Sequence, residues 1–455
     1  MAHWPARRTH TGLTVALLTA CSFLGACAES ARLPLAAGTG PQPELPEPRS
    51  ALIPTVNIAP AVGWPAGATP LPALGTRVVA FAQGLDHPRW LLVLPNGDVL
   101  VAESNAPAKG DIGNPGFLAR VKGWVMGRVM QRAGEGVPSA DRITLLRDTN
   151  GDGVADQRSV LLSGLRSPFG MALVGDRLFV ANADEVLWFP YRRGDTTITT
   201  PGTRLVQLPG GPINHHWTKS LLASADGRHL YVGVGSNSNV AERGMAAEAG
   251  RAAVWQVNIA NGEHRVFASG LRNPVGLAWT TGPEAAAAPV LWAVVNERDE
   301  LGSDLVPDYL TSVRDGAFYG WPYSYYGPHV DVRVQPGDPA RVASALAPDY
   351  ALGAHVAPLG LAASVGSALP APFVQGMFIG LHGSWNRRPK SGYQVVFVPF
   401  RDGRPSGPAV ELLGGFLSAE GDAWGRPVGV AVDTRGGLLV ADDVGNTVWR
   451  VSAAP

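Results

Sequence analysis

The residues best suited to chemistry are two adjacent histidines in Asn214-His215-His216, just ahead of an apolar strand pattern. Histidine is a suitable general base near neutral pH. Adjacent residues cannot share one face of a strand, so one ring faces inward while the other packs. Cations recur at comparable places: Arg89, Arg166, Lys219, Arg272 beside Asn273, Arg387 and Arg426 fall at strand ends or at the openings of repeated phrases. Cations converging from different segments make a site for a multiply anionic ligand, unless they are spent on Glu103, Glu297, Asp299 or Asp442. A third constellation runs from Asp148 through Asn150 and Asp152 to Asp156, with oxygen-bearing side chains at positions one, three, five and nine and glycine at six. That spacing suits a hard cation such as Ca²⁺. Ser159 at position twelve gives no bidentate closure, and an Asx-turn loop without an ion has the same sequence.

The elements that must position these groups are short strands. From Arg77 onward a Gly/Pro phrase, an apolar strand, a turn and a second apolar strand recur six times. The copies lie in 84–103, 164–182, 215–235, 270–279 with 290–297, 357–364 with 376–385, and 425–443. PNG, ADGR and TRGG turns between strands of five to seven residues are hairpin signals. Six such units imply an all-β fold, a six-bladed β-propeller with short helical insertions. A sandwich or solenoid does not explain an apolar couplet opened each time by Gly/Pro. The last unit has three strands, ending with Thr447 to Val451, so Arg77 to Phe81 is expected to supply the fourth and close the ring. Phe117 to Gly134 breaks the pattern: Phe117, Leu118, Val121, Trp124, Val125 and Val129 share a helical face, which implies a helix inserted between blades.

Composition narrows the function. The 455 residues carry 37 Lys+Arg against 37 Asp+Glu, and no cluster of like charge gives the basic face that nucleic acid needs. Two cysteines, Cys21 and Cys27, exclude a disulfide framework and a cysteine-rich zinc site. Arg7 and Arg8 precede an apolar run, from about Leu13 to Ala26, too short for a membrane span. It ends in Leu24-Gly25-Ala26-Cys27, which resembles a bacterial lipobox. On that reading residues 1–26 are a lipoprotein signal peptide and Cys27 is the lipidated first residue. Residues 27–76 are a Pro/Ala-rich tether and 77–455 the propeller. The expected location is extracytoplasmic, held to a membrane.

The segments HHWTKSLLASADGRHLYVGVGSNSN, GLRNPVGLAW, NERDELGSDLVPDYL, YGWPYSYYG, HVAPLGL and LHGSWNR together resemble the PQQ-dependent soluble aldose and sorbosone dehydrogenases, from about Arg77 to Val451. The resemblance implies a six-bladed propeller holding PQQ and Ca²⁺ in its central mouth. There a histidine takes the proton of a sugar hydroxyl as hydride passes to the quinone. By match to the family's motifs His216 is that base, Arg272 and Asn273 lie beside PQQ, and Arg426 meets a cofactor carboxylate. His355 falls at a cofactor-contact position, and His382 or Arg387 stands in for a family lysine. Arg89 and Lys219 join this set as converging cations. Glu297 and Arg298 occupy the positions whose backbone carbonyls hold Ca²⁺. His215 replaces an aspartate of one branch, and Trp424 stands where a second cofactor arginine is expected. Trp321, Tyr323, Tyr325 and Tyr326 offer flat faces to a sugar ring or pack the rim. The implied partners are a sugar or related alcohol or aldehyde and a separate electron acceptor, since the chain carries no haem motif. Two alternatives stay open on the residues alone: lactonase-like hydrolysis at a metal held by Glu103, Asn105, Asn182 and Asn296, and ligand binding without catalysis.

Overall fold

The structure, a computed structural model, describes residues 29–49, 55–108, 127–134, 136–280 and 289–455. Cys27 and residues 117–126 of the expected helix lie outside these. No helix among the described residues is long and apolar enough to cross a membrane.

Six antiparallel four-stranded blades surround a central axis, as the repeats imply. The inner strands are Pro88–Val93, Met171–Val174, Leu221–Ala223, Asn273–Thr280, Pro358–Ala363 and Pro427–Val432. Each pairs antiparallel with a second strand: Val99–Glu103, Arg177–Ala181, His229–Val234, Val290–Asn296, Gly376–Leu381 and Leu438–Asp442 respectively. Thr76–Ala82 pairs with Thr447–Ala453 and completes the sixth blade, so the first blade strand closes the ring onto the last. The second strands read as near-continuous apolar runs because neighbouring blades cover both of their faces. Leu100, Ile143 and Leu145 of the first blade pack on Phe169, Leu178 and Val180 of the second, and Phe378 and Phe397 of the fifth share a core with Val440 and Trp449 of the sixth.

The inner strands approach so closely that glycine is required at the contacts. A Cβ on Gly429 would stand 2.8 Å from the Arg89 carbonyl and 3.1 Å from Trp90 Cα. One on Gly360 would collide with the Val428 carbonyl. All inner strands run the same way, so their N-terminal ends and the C-terminal ends of the second strands gather at one mouth. The candidate residues on both kinds of strand end therefore meet there.

Two expectations need correction. Residues 29–49 and 55–76 do not form a free tether. They run as a strap over the propeller, where Thr39–Gly40 adds an edge strand to the fourth blade and Leu71–Pro72 one to the fifth. Proline and alanine suit this role, since an extended segment donates few hydrogen bonds and packs by its apolar surface. The 127–132 helical segment lies inside the first blade, between its second and third strands, rather than between blades. The Asp148 loop likewise joins the third and fourth strands of that blade, Arg142–Arg147 and Gln157–Leu162, on the face opposite the mouth.

Candidate active site

Residues 214–218 form a loop that enters the inner strand of the third blade. His216 Nδ1 lies 2.8 Å from the Ser236 carbonyl oxygen, which only accepts, so Nδ1 carries the hydrogen. Nε2 is left as a free acceptor. Solvent reaches the edge of the ring, yet burial, followed by the nearby His215 and Arg272, holds His216 well below the usual histidine range. A neutral imidazole with a bare Nε2 is the state a general base needs. The exposed His215 meets it edge-on, ring centroids 4.7 Å apart. Gly235 lets His216 and Asn273 close in from either side: a Cβ there would stand 2.5 Å from His216 Cβ and would strike Asn273 Oδ1. That Asn273 oxygen is buried and has no partner.

Arg272 borders the histidines. Its guanidinium donates to the Glu297 carbonyl at 2.6 Å, to Asn239 Oδ1 at 3.0 Å and to Asp299 Oδ2 at 3.1 Å. Although burial opposes it, the His355 bond and the Arg272 charge bring Asp299 down to about 2. His355 is raised by the same pairing against the cost of its own burial, and its Nε2 donates to the Gly302 carbonyl at 3.0 Å. It stands behind Asp299 with both nitrogens engaged.

A second cluster lies across the mouth. Asp443 accepts from Arg89 and from His382 Nε2, the latter at 3.0 Å, with His87 Nε2 3.6 Å away. Despite burial, the two imidazoles and the Arg89 guanidinium hold the Asp443 carboxyl far below its ordinary value. Burial, with Arg426 and Arg89 nearby, brings His382 down to about 4. Arg89 also lies 5.8 Å over the ring of Trp217, the residue after His216, which links the two clusters. Arg89 Nε and Arg426 Nε are buried N–H groups without partners. Arg272, Asn273, His216, Arg89, His382 and Arg426 are thus brought together. The unpartnered guanidinium hydrogens and the Asn273 oxygen fit a flat, multiply anionic ligand that can also donate a hydrogen bond.

Other expected site residues go elsewhere. Lys219 is fully buried, and its ammonium donates to the carbonyls of Trp217 at 2.9 Å and His216 at 3.3 Å. Burial and then Arg251 lower its pKa strongly; it braces the histidine loop from within instead of meeting a cofactor. Arg387 is 3% exposed and serves the carbonyls of Ser303 and Pro389. The Glu297 carbonyl, expected on Ca²⁺, is capped by Arg272, while the Arg298 side chain is sealed against Glu297, Asp331 and the Pro322 and Ser324 carbonyls. The Arg272 guanidinium thus takes up one of the two carbonyls expected to hold that ion, and with it in place the site does not fit a dication. In the Asp148 loop the oxygens serve their own backbone: Asp148 accepts from Gly151 and Gly153 and pairs with Arg435 at 2.6 Å, and Asp156 accepts from Thr149. Among the described residues no three His, Cys, Asp or Glu side chains converge as a metal cage. Trp321, Tyr325 and Tyr326 are buried, so they pack the rim. Glu103, needed by the hydrolase alternative, is spent on Arg142, Thr144 and the Asp86 amide.

The sequence reading missed Asp443, Asp308 and Ser236 and took Asp299 only as a possible counter-charge. Asp308 joins the start of the Glu297 loop to the fifth blade by accepting from the amides of Glu297 at 2.7 Å and Ala357 at 2.8 Å; burial pushes it up to about 7. A signal was present: each second strand ends in a polar residue or meets one within two positions, at Glu103, Asn182, Ser236, Glu297, His382 and Asp442-Asp443.

Similar proteins place this mouth in context. A curated pyrroloquinoline quinone-dependent pyranose dehydrogenase of Coprinopsis cinerea is 25% identical over 261 residues, 49% of this chain and 35% of that protein. The match spans about a third of the relative's length. An uncharacterised protein of Borreliella burgdorferi is 24% identical over 297 residues, 63% of this chain and 76% of its own. Among solved structures, the holo PQQ domain of the Coprinopsis pyranose dehydrogenase superposes with a TM-score of 0.65 at 21% identity, covering 87% of this chain and all of that one. A calcium structure of the Trichoderma reesei family AA12 enzyme gives 0.65 at 18% identity, covering 88% of this chain and 99% of its own. At such identities these superpositions establish the shared fold. The sequence itself matches the TrAA12-like family model over residues 138–308 and 338–454, well over half of its length, and the chain belongs to that family.

Proposed function

We propose that this protein is a PQQ-dependent oxidoreductase that oxidises a sugar or a related alcohol or aldehyde and passes the electrons to a separate acceptor. The observation that carries the reading is His216: neutral, with Nδ1–H fixed on the Ser236 carbonyl and Nε2 free, beside cations that suit an anionic cofactor. Arg89 and Arg426 would hold the cofactor's carboxylates, with Asn273 at its edge and Arg272 adding positive charge beside it. PQQ, when bound, supplies the two-electron acceptor for the hydride leaving the substrate carbon. His216 Nε2 takes the hydroxyl proton, and the Ser236 contact keeps the ring from turning as charge develops on it. Asp299 and Asp443 are fixed counter-charges that hold Arg272 and Arg89 in place. No step is assigned to calcium, because Arg272 covers the Glu297 carbonyl. The lipobox resemblance supports an extracytoplasmic protein anchored through Cys27.

The test is reconstitution of purified apo-protein with PQQ, with and without Ca²⁺, followed by dye reduction over a panel of aldoses, polyols and aldehydes. Stoichiometric PQQ uptake and turnover with at least one donor are expected. No uptake at about 100 µM PQQ in either condition overturns the proposal.

A further inference from the structure

The strap reaches the mouth. Between residues 59 and 64 it knits onto the loop before the sixth blade: Val62 donates to the Ala423 carbonyl at 2.9 Å, and Ala423 to that of Pro60 at 2.7 Å. The Trp64 indole enters an aromatic nest, edge-on to Phe416 and Trp449 at 5.4 Å each and tilted against Trp424 at 5.8 Å. Trp424 is the residue standing where a second cofactor arginine was expected. It serves the strap, which leaves Arg426 as the arginine of this side.

Arg426 is gripped at both ends by way of the strap. Trp64 Nε1 donates to Asp442 Oδ2 at 2.6 Å, and the other oxygen of that buried carboxylate accepts the Arg426 amide at 2.8 Å. The Arg426 guanidinium donates to the Ala59 carbonyl at 3.1 Å and lies 5.4 Å over the Tyr393 ring, while its Nε stays unpartnered. We propose that strap residues 59–64 are a positioning element of the cofactor mouth: Ala59 and the Trp64–Asp442 bond fix Arg426 with an open donor for a carboxylate of the bound cofactor. This rests on the PQQ reading above.

Trp64→Phe keeps a ring in the nest and removes only the N–H. Calorimetric titration of apo-protein with PQQ should show the dissociation constant rising about tenfold, the scale of one hydrogen bond to a charged acceptor. Turnover at saturating PQQ should stay within about twofold. Because Trp64 acts through Arg426, the same change in an Arg426→Gln background should add less than about twofold. Trp64→His, which restores an N–H, should recover part of the affinity; a role as mere apolar plug gives no such rescue. Unchanged affinity in Trp64→Phe, or equal losses in both backgrounds, overturns the proposal. Wild type that takes up no PQQ removes the cofactor reading and this proposal with it, whereas wild type that binds alongside an indifferent Trp64→Phe removes the strap proposal alone.

Discussion

Two adjacent histidines carry different burdens because only one ring is held. His216 is tied to Ser236 at 2.8 Å, whereas the exposed His215 uses its backbone amide to reach Asn237 Oδ1 at 3.1 Å. Removing a general base typically costs about 10²–10⁴ in rate. His216→Ala should therefore lose turnover on that scale while PQQ still titrates, and His215→Ala should lose far less; a dead His215→Ala reverses the assignment. The pH dependence has a fixed sign. With its pKa depressed below 6.5, His216 is already deprotonated at 6.5, so kcat/KM should be level from there upward and fall only in more acid solution. An acid limb centred at or above 6.5 would contradict a neutral base. His216 was singled out by its match to the family's motifs, because residue type and a place before a strand leave the choice between the two histidines open. The fate of Lys219 was not legible: a lysine beside a catalytic loop reads as a ligand contact, and only packing shows that its ammonium points inward to carbonyls.

At the scale of elements, the mouth is a set of strand ends that glycine allows to meet. Gly235, just past the second strand of the third blade, separates His216 from Asn273. Gly235→Ala should push these two apart and cut turnover by at least about tenfold, since small misplacements of a reacting group are costly. The melting temperature should fall by only a few degrees, because the change is at a strand end near the rim. A variant with wild-type turnover would show that the close spacing of His216 and Asn273 about Gly235 is not needed. The repeats made the blades readable, because a couplet of apolar strands with a turn is a local pattern. The Asp148 loop marks the limit of such patterns: ligand spacing is local, but the pairing of Asp148 with Arg435 depends on a residue 287 positions away. The Glu297 carbonyl is a parallel case, since nothing in its own segment reveals that Arg272 covers it.

For the whole molecule, the ring and the strap join the chain's beginning to its chemistry. Thr76–Ala82 closes the sixth blade on Thr447–Ala453, and the strap before it crosses the fourth and fifth blades on its way there. Composition could not show this docking, because Pro- and Ala-rich sequence serves a free linker and a packed extended segment equally well. The docking starts early: Glu29 Oε2 accepts from the Ser303 amide at 2.6 Å, and Asp304 Oδ2 accepts from the Arg32 amide at 2.7 Å. Ala28 alone separates Glu29 from Cys27. Two residues of extended chain span at most about 7 Å. A lipid on Cys27 would therefore hold the rim near Ser303 close to the bilayer, on a leash far shorter than a 50-residue tether gives. Cys27→Ser should release the protein into the soluble extracytoplasmic fraction with its unfolding temperature and dye-linked turnover unchanged, because the strap stays docked without the anchor. Fractionation and mass spectrometry of the mature N-terminus decide it. A wild type already soluble, with an unmodified N-terminus elsewhere, defeats the anchor. Release accompanied by a large loss of stability would instead mean that the anchor, and not Glu29 and Arg32, keeps the strap in place.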